Sequence, residues 1–322
     1  MQQPNPVQSQ DTPPSEELEA IARQLEASGN YRILRRFDPA SVMIAEQDLP
    51  PSARRFLVVD TETTGKDAAR DHIVELGMVE VAYDPEIGAC YGVTRVFDAL
   101  EDPGVPIPPE ASAVNGITDE MVAGKRIDDA AVQEMVAGAD FVVPHNARYD
   151  RVLLERRLPV FEDVAFACSM TQVDWQKAGI GGTKLEYIAS RLGFFYSAHR
   201  ADTDCLALVK VLDTVLEGFG GGTPLQMLLA EYQREDRRIW ATGAPYDAKD
   251  RLKERGYRWF DGTIEGTEKA WAKEVPLEEY AAELAWLRTE VFNNRSVALP
   301  IDRIDARNRF TSRRDKLGRD YI

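Results

Sequence analysis

The sequence predicts an α/β domain, a mixed sheet with helices on its faces, followed by a small α+β module. Three observations carry that reading. Residues 56–61, 73–83 and 92–97 are apolar or alternating runs, the pattern of an antiparallel three-stranded meander. After the proline-rich stretch 103–109, helical patterns alternate with two more strand-like runs, at 141–143 and near 164–167. Finally, four glycines fall within residues 218–222, and the pattern of a strand, a helix and a hairpin follows them.

Taken in order, residues 1–14 are rich in Gln, Pro and Ser, lack an apolar segment of the signal-peptide kind, and are expected to be disordered. Residues 15–50 read as a helix–strand appendage packed on the main domain: 15–27 are spaced as an amphipathic helix with Ser15 as N-cap, Ser28-Gly29-Asn30 stops it, and 31–37 alternate like a short strand. The principal domain is expected over 51–217, with the turn-rich Asp84-Pro85-Glu86-Ile87-Gly88 joining its second and third strands. Helices are expected at 183–192 and 204–216, the first led in by Gly179-Ile180-Gly181-Gly182, which is too irregular for a phosphate-binding fingerprint. Residues 218–222 then read as a glycine linker, and 223–322 as the second module, with a helix at 278–292 carrying Tyr280, Leu284, Leu287 and Val291 on one face.

The chemistry lies in three short segments. Asp60-Thr61-Glu62-Thr63-Thr64-Gly65 ends the first apolar run, and residues two apart on a strand project from one face. Two carboxylates side by side repel unless cations lie between them. Asp150 ends His145-Asn146-Ala147-Arg148-Tyr149-Asp150, and Asp204 ends His199-Arg200-Ala201-Asp202-Thr203-Asp204 and opens the helical stretch 204–216. Taken singly, an Asp-x-Glu is a solvated turn and an Asp before a helix is an N-cap. Together, four carboxylates and one histidine are the parts of a two-metal phosphodiesterase, and oxygen donors of this kind suit Mg²⁺ or Mn²⁺. His145, after Pro144, reads as a structural group, His72 as surface, and Glu75 as part of its strand rather than a fifth ligand.

In order and content these segments resemble the DEDDh branch of the proofreading-exonuclease (DnaQ-like) superfamily, over roughly residues 54–217. The resemblance implies a ribonuclease H-like fold and a 3′-to-5′ exonuclease. It implies that Asp60, Glu62, Asp150 and Asp204 hold two divalent ions, and that His199 is the general base that deprotonates the attacking water. Between the first two motifs, Val114-Asn115-Gly116-Ile117-Thr118 resembles the family's nucleotide-contacting segment, with Asn115 standing where many relatives carry histidine. Thr61, Thr63, Val114, Asn115, Gly116, Asn146 and Tyr149 are then expected to line the terminal nucleotide, Tyr149 offering an aromatic surface. The segment Ala167-Cys168-Ser169-Met170 departs from the Asp-Thr often found there, without touching a metal ligand. The expected substrate is the 3′ end of single-stranded DNA, with replication or repair proteins as partners. An RNA-trimming enzyme like ribonuclease T or oligoribonuclease, or an inactive nucleic-acid tether, are the alternatives.

Composition sets the remaining bounds. The net charge of −15 is regional: residues 1–220 hold 20 Lys/Arg against 36 Asp/Glu, and residues 221–322 hold 19 against 18. Arg303, Arg307, Arg309, Arg313, Arg314, Lys316 and Arg319 read as a basic tail able to follow a phosphate backbone. Trp240, Tyr246, Tyr257, Trp259 and Trp271, interleaved with cations, are expected to supply a small core and one or two exposed stacking surfaces. No apolar run reaches membrane-spanning length, and Cys90, Cys168 and Cys205 lack metal-ligand spacing, so a soluble cytoplasmic protein is expected.

Overall fold

A computed structural model describes residues 16–263, 268–311, 313 and 315–322. The expected N-cap Ser15 and the segment 1–14 lie outside these residues. Helix α1 (Glu16–Ala27) stands on the surface with no buried residue, and β1 (Arg35–Arg36) is all that forms of the expected 31–37 strand. The appendage is anchored by Phe37, which enters the same core as the central strands.

The meander is as expected but longer: β2 (Arg54–Thr63), β3 (Ile73–Asp84) and β4 (Ala89–Leu100) pair antiparallel. Short helices α2 (Pro109–Asn115), α3 (Asp119–Val122) and α4 (Asp129–Ala137) follow, then β5 (Val142–Pro144), parallel to β2, and α5 (Ala147–Arg157). The sheet order is β4-β3-β2-β5, the mixed, helix-flanked sheet of a ribonuclease H-like fold. No strand forms at 164–167; Ala165 and Ala167 bond Val142 in an isolated bridge at Phe166, whose own N–H donates to the Ala306 carbonyl instead.

Next come α6 (Leu185–Arg191), β6 (Phe194–Phe195), parallel to β1, and α7 (Ala201–Leu212). Helix α7 starts three residues earlier than expected, so Asp204 lies inside its first turns instead of opening it. Alternation along β2 sends Phe56 and Val58 into one core with α6 and α7, and Leu57 and Val59 into another with α4 and α5.

The glycine run does not act as a linker. Gly220 and Gly221 take positive φ (67° and 88°) in a turn closed by the Leu216–Gly222 bridge. Beyond it α8 (Pro224–Tyr232) returns Leu225 and Leu228 to the first core and stacks Tyr232 on Phe141 at 4.6 Å. The change of core therefore falls after α8, not at 218–222.

The remaining strands are β7 (Asp236–Ala241), β8 (Arg258–Asp261), β9 (Lys269–Pro276), β10 (Ala298–Ile304) and β11 (Asp315–Tyr321), with α9 (Lys249–Glu254) and α10 (Tyr280–Trp286) between them. They form one sheet of order β11-β10-β7-β9-β8. Leu287 and Val291 are buried where α10 widens into a π turn, as the helical face at 278–292 anticipated. Trp240 and Tyr257 are buried, whereas Tyr246 and Trp259 are 82% and 52% exposed.

The basic tail is folded structure, and its charges are mostly engaged. Arg309 is buried on Asp236, Arg303 pairs with Asp305, Arg307 donates to the Asp163 carbonyl, and Arg313 bonds Glu155 and the Glu162 carbonyl. Arg314 and the Lys316 side chain lie outside the described residues. Arg151 on α5 reciprocates: wholly buried, it donates to Glu155 at 2.6 Å and to the carbonyls of Ala306, Arg307 and Val164. The two sheets are thus locked together through α5.

Candidate active site

Strand β2 carries Asp60 and Glu62 on the face turned toward α7, where Asp204 meets them. One carboxylate oxygen from each of Asp60, Glu62 and Asp204 lies within 4.8 Å of the others. Glycine makes the meeting possible. Gly77 on β3 is paired with Asp60, and a Cβ placed there would sit 2.3 Å from the Ala201 carbonyl carbon. The first turn of α7 therefore rests directly on sheet backbone.

Asp150 comes from the opposite side. Thr61 and Thr63 face α5, and the Thr61 hydroxyl donates to Asp150 Oδ1 at 2.8 Å. Asp150 neighbours Asp60 closely enough to raise its pKa, yet it stands outside the three-oxygen cluster. Three of the four expected ligands are assembled, and the fourth is held beside them by a threonine.

Burial pushes all four carboxyls up, and repulsion from neighbouring carboxylates adds to it at Asp60 and Glu62. Asp60 lies well above the usual carboxylate range through burial and then the charges of Asp150, Asp204 and Glu62. Burial, with Asp204 and Glu75, lifts Glu62 to about 7, and burial lifts Asp150 to about 7. Asp204 is raised by burial, against hydrogen bonds from Tyr196, His199 and Arg200. Such a set is unfavourable as bare anions and fits hard divalent cations with oxygen preference.

His199 is exposed, in the left-handed region at φ 69°, and its backbone N–H donates to Asp204 Oδ2 at 2.8 Å. His145 is instead walled in, bonded to Ser169 at 2.8 Å and the Thr183 carbonyl at 2.6 Å, and burial lowers its pKa. Glu75 is fully buried and occupied by Arg200 at 2.6 Å and the Ala201 N–H at 3.0 Å, so it is no fifth ligand. His72 is exposed.

Beside the carboxylates opens a cavity of about 780 Å³. Six of the seven residues expected at a terminal nucleotide line it: Thr61, Thr63, Val114, Asn115, Asn146 and Tyr149; Gly116, in a left-handed turn after α2, does not. Tyr149 is fixed by a 2.6 Å bond to Thr63, and Asn115 turns its amide toward Glu62.

Sequence reasoning missed Gly77, Tyr196 and Arg200. An isolated glycine inside a strand pattern was the available signal for the first. Tyr196, which donates to Asp204 Oδ1 at 2.8 Å, offered only its place in the aromatic run ahead of His199.

The exonuclease family model (RNase_T) matches residues 57–212, the stretch that holds every one of these groups. The DNA polymerase III subunit epsilon of Treponema pallidum (strain Nichols) is 30% identical over 171 residues, which is 50% of this chain and 76% of that protein. The chain belongs to the DnaQ-like exonuclease family. A second DNA polymerase III subunit epsilon, from Pasteurella multocida (strain Pm70), is 29% identical over 185 residues, 53% of this chain and 70% of that protein. Among solved structures, Exonuclease X in complex with 5′ overhanging duplex DNA matches at 26% identity and a TM-score of 0.40, covering 54% of this chain and 97% of that one. As a DnaQ-like exonuclease the protein is a nuclease acting on nucleic acid, and its acidic cluster fits divalent-metal binding. Among the described residues no helix is long and apolar enough to cross a membrane.

Proposed function

We propose that this DnaQ-like exonuclease removes nucleotides one at a time from the 3′ end of single-stranded DNA, releasing nucleoside 5′-monophosphates, in replication or repair. The observation that carries the reading is the three-oxygen cluster of Asp60, Glu62 and Asp204, whose Glu62 also lines a cavity of about 780 Å³. A cavity of that size suits one nucleotide.

Asp60, Glu62 and Asp204, with Asp150 beside them, would hold two ions, Mg²⁺ or Mn²⁺. When bound, these neutralise the scissile phosphate and stabilise the entering and leaving oxygens. His199 accepts the proton of the attacking water; its exposure leaves the imidazole free to exchange that proton with solvent. Glu62 bonds the terminal 3′-hydroxyl, Val114 and Tyr149 hold the last base, and Thr61 keeps Asp150 turned toward Asp60. Asn115 and Asn146 supply polar contacts to the terminal sugar or base.

The test is digestion of 5′-labelled and 3′-labelled single strands of DNA and RNA, and of duplex DNA, with and without Mg²⁺. The expected result is metal-dependent loss of the 3′ label from single-stranded DNA as mononucleotides. Release from the 5′ end, or turnover in EDTA, overturns the proposal; preference for RNA transfers it to the RNA-trimming reading.

A further inference from the structure

The appendage over residues 15–50 lies ahead of the matched family segment and builds, with the α6–β6 turn and the end of α7, a cleft of about 580 Å³. In a half of the chain that is strongly acidic, this cleft is lined by Arg32, Arg35, Arg36, Arg191 and Lys210 against Glu26 and Asp38. Arg35 bonds Glu19 at 2.8 Å and Glu26 at 3.0 Å, which neutralises the acidic side of α1 that faces the cleft. Arg32 is turned to the Ser190 carbonyl and Arg191 makes a long 3.4 Å contact to the Gly179 carbonyl, so neither is compensated by an anion. The side chains of Arg36 and Lys210 are exposed and donate no hydrogen bond among the described residues, although Lys210 lies close enough to Asp213 to oppose the rise that burial gives that carboxyl's pKa. The guanidinium of Arg36 lies over the ring of Phe195, 5.1 Å from its centroid, and that ring is 41% exposed.

The position of this cleft matters as much as its charge. Arg36 and Phe195 are register partners in the parallel β1–β6 pair, so the appendage is hydrogen-bonded to the strand that leads into the site. Tyr196, the next residue, bonds Asp204, and His199 follows three positions later. Lys210 is six residues after Asp204 on α7, roughly 9 Å along the helix at 1.5 Å per residue. Phe37 packs on Phe194 at 5.7 Å and fixes the whole arrangement to the core.

We infer that this cleft is a second contact for the substrate, holding the phosphates and one base of the single strand a few nucleotides upstream of the 3′ end at the metal site. Exposed cations in excess over the anions of the cleft, beside an exposed aromatic ring, are the chemistry that grips single-stranded nucleic acid without regard to sequence. The inference rests on the proposed function for the identity of the strand, though not for the binding itself.

Fluorescence anisotropy with Ca²⁺ in place of Mg²⁺, on samples whose oligonucleotide is recovered intact, tests it with oligo(dT) of 20 nucleotides and with a trinucleotide, across a salt series. For Arg36→Gln/Lys210→Gln the expected result is a dissociation constant for the 20-mer weakened about tenfold, with the salt slope lowered by about 1.4 for two lost phosphate contacts. Phe195→Ala should weaken the 20-mer without changing the slope. The trinucleotide, which spans the metal site alone, should lose no affinity, and Arg95→Gln/Arg288→Gln serves as an equal charge change elsewhere on the surface. Unchanged 20-mer affinity and slope, an equal loss on the trinucleotide, or an equal loss in the control variant overturns the inference. A wild-type protein that binds the 20-mer through this cleft yet degrades no DNA would overturn the proposed substrate and leave the cleft standing.

Discussion

Tyr196 donates its hydroxyl to Asp204 Oδ1 at 2.8 Å, so this carboxylate of α7 is held by a phenol from the residue that follows β6. The backbone N–H groups of His199 and Arg200 fill the other oxygen at 2.8 and 3.2 Å. With both oxygens anchored, Asp204 has one orientation, aimed at Asp60 and Glu62. Tyr196→Phe keeps the ring in its packing and removes only the bond. Loss of an outer partner of a ligand costs about 10- to 100-fold in metal affinity or activity. A raised Mg²⁺ requirement in a titration of rate against metal is the expected sign, and an unchanged requirement would mean that the phenol is only packing.

Gly77→Ala should damage the site without touching a carboxylate. The new methyl would collide with Ala201 and Asp202 backbone, which cannot swing aside as a side chain can. Overpacking of this kind costs about 1–3 kcal/mol, and a misplacement near 1 Å costs about 100-fold in rate. The expected outcome is a modest drop in melting temperature with a disproportionate drop in kcat.

The two histidines separate cleanly. His199→Ala should lower kcat by about 10²- to 10⁴-fold, the range for a lost general base, while the melting temperature holds because the side chain is exposed. His145→Ala should do the reverse, destabilising the fold by removing the bonds to Ser169 and Thr183. Kinetics and thermal melts on both variants decide whether the assignment stands.

Metal and pH are coupled through the raised carboxyls. Glu62 and Asp150, lifted to about 7 in the folded protein, hold protons that the unfolded chain has already released. Their contribution to stability is fully present below the unfolded values near ~4 and is lost as pH rises through about 7. In EDTA the melting temperature should therefore fall between pH 5 and 8 relative to the same protein in saturating Mg²⁺. The increment given by Mg²⁺ should grow over that window, and a pH-independent increment would show that the cluster is not where the ion binds.

Removal of everything after Gly222 should not leave a working nuclease. It would take Leu225, Leu228 and Tyr232 from the first core and strip buried Arg151 of the Ala306 and Arg307 carbonyls. Leaving a buried donor without its acceptor costs about 1–3 kcal/mol, and more for a charged group. Glu155→Ala in the full chain tests the same junction more gently, because it releases Arg151, Thr311 and Arg313 together. A large fall in melting temperature for both variants is expected, and a soluble, active fragment of residues 1–222 would show that α5 does not need its far-side support.

What the sequence determined by itself was the order of most strands and helices around the site and the three acids, Asp60, Glu62 and Asp204, that come together there. Asp60 and Glu62 on one strand face follow from a period of two, and that period is visible in ten residues. The meander, the helical face ending at Leu287 and Val291, and the structural role of His145 were legible in the same local way. The tertiary structure alone decided what each acid faces. Thr61 reaches Asp150 across 89 positions, Arg200 reaches Glu75 across 125, and Arg151 reaches Arg307 across 156. It also turned the glycine run from a linker into a turn, and the basic tail into a clasp on α5. Local periodicity records which face a residue presents, but the partner on that face comes from packing between distant segments, where burial makes an unmet hydrogen bond costly and so fixes who bonds to whom.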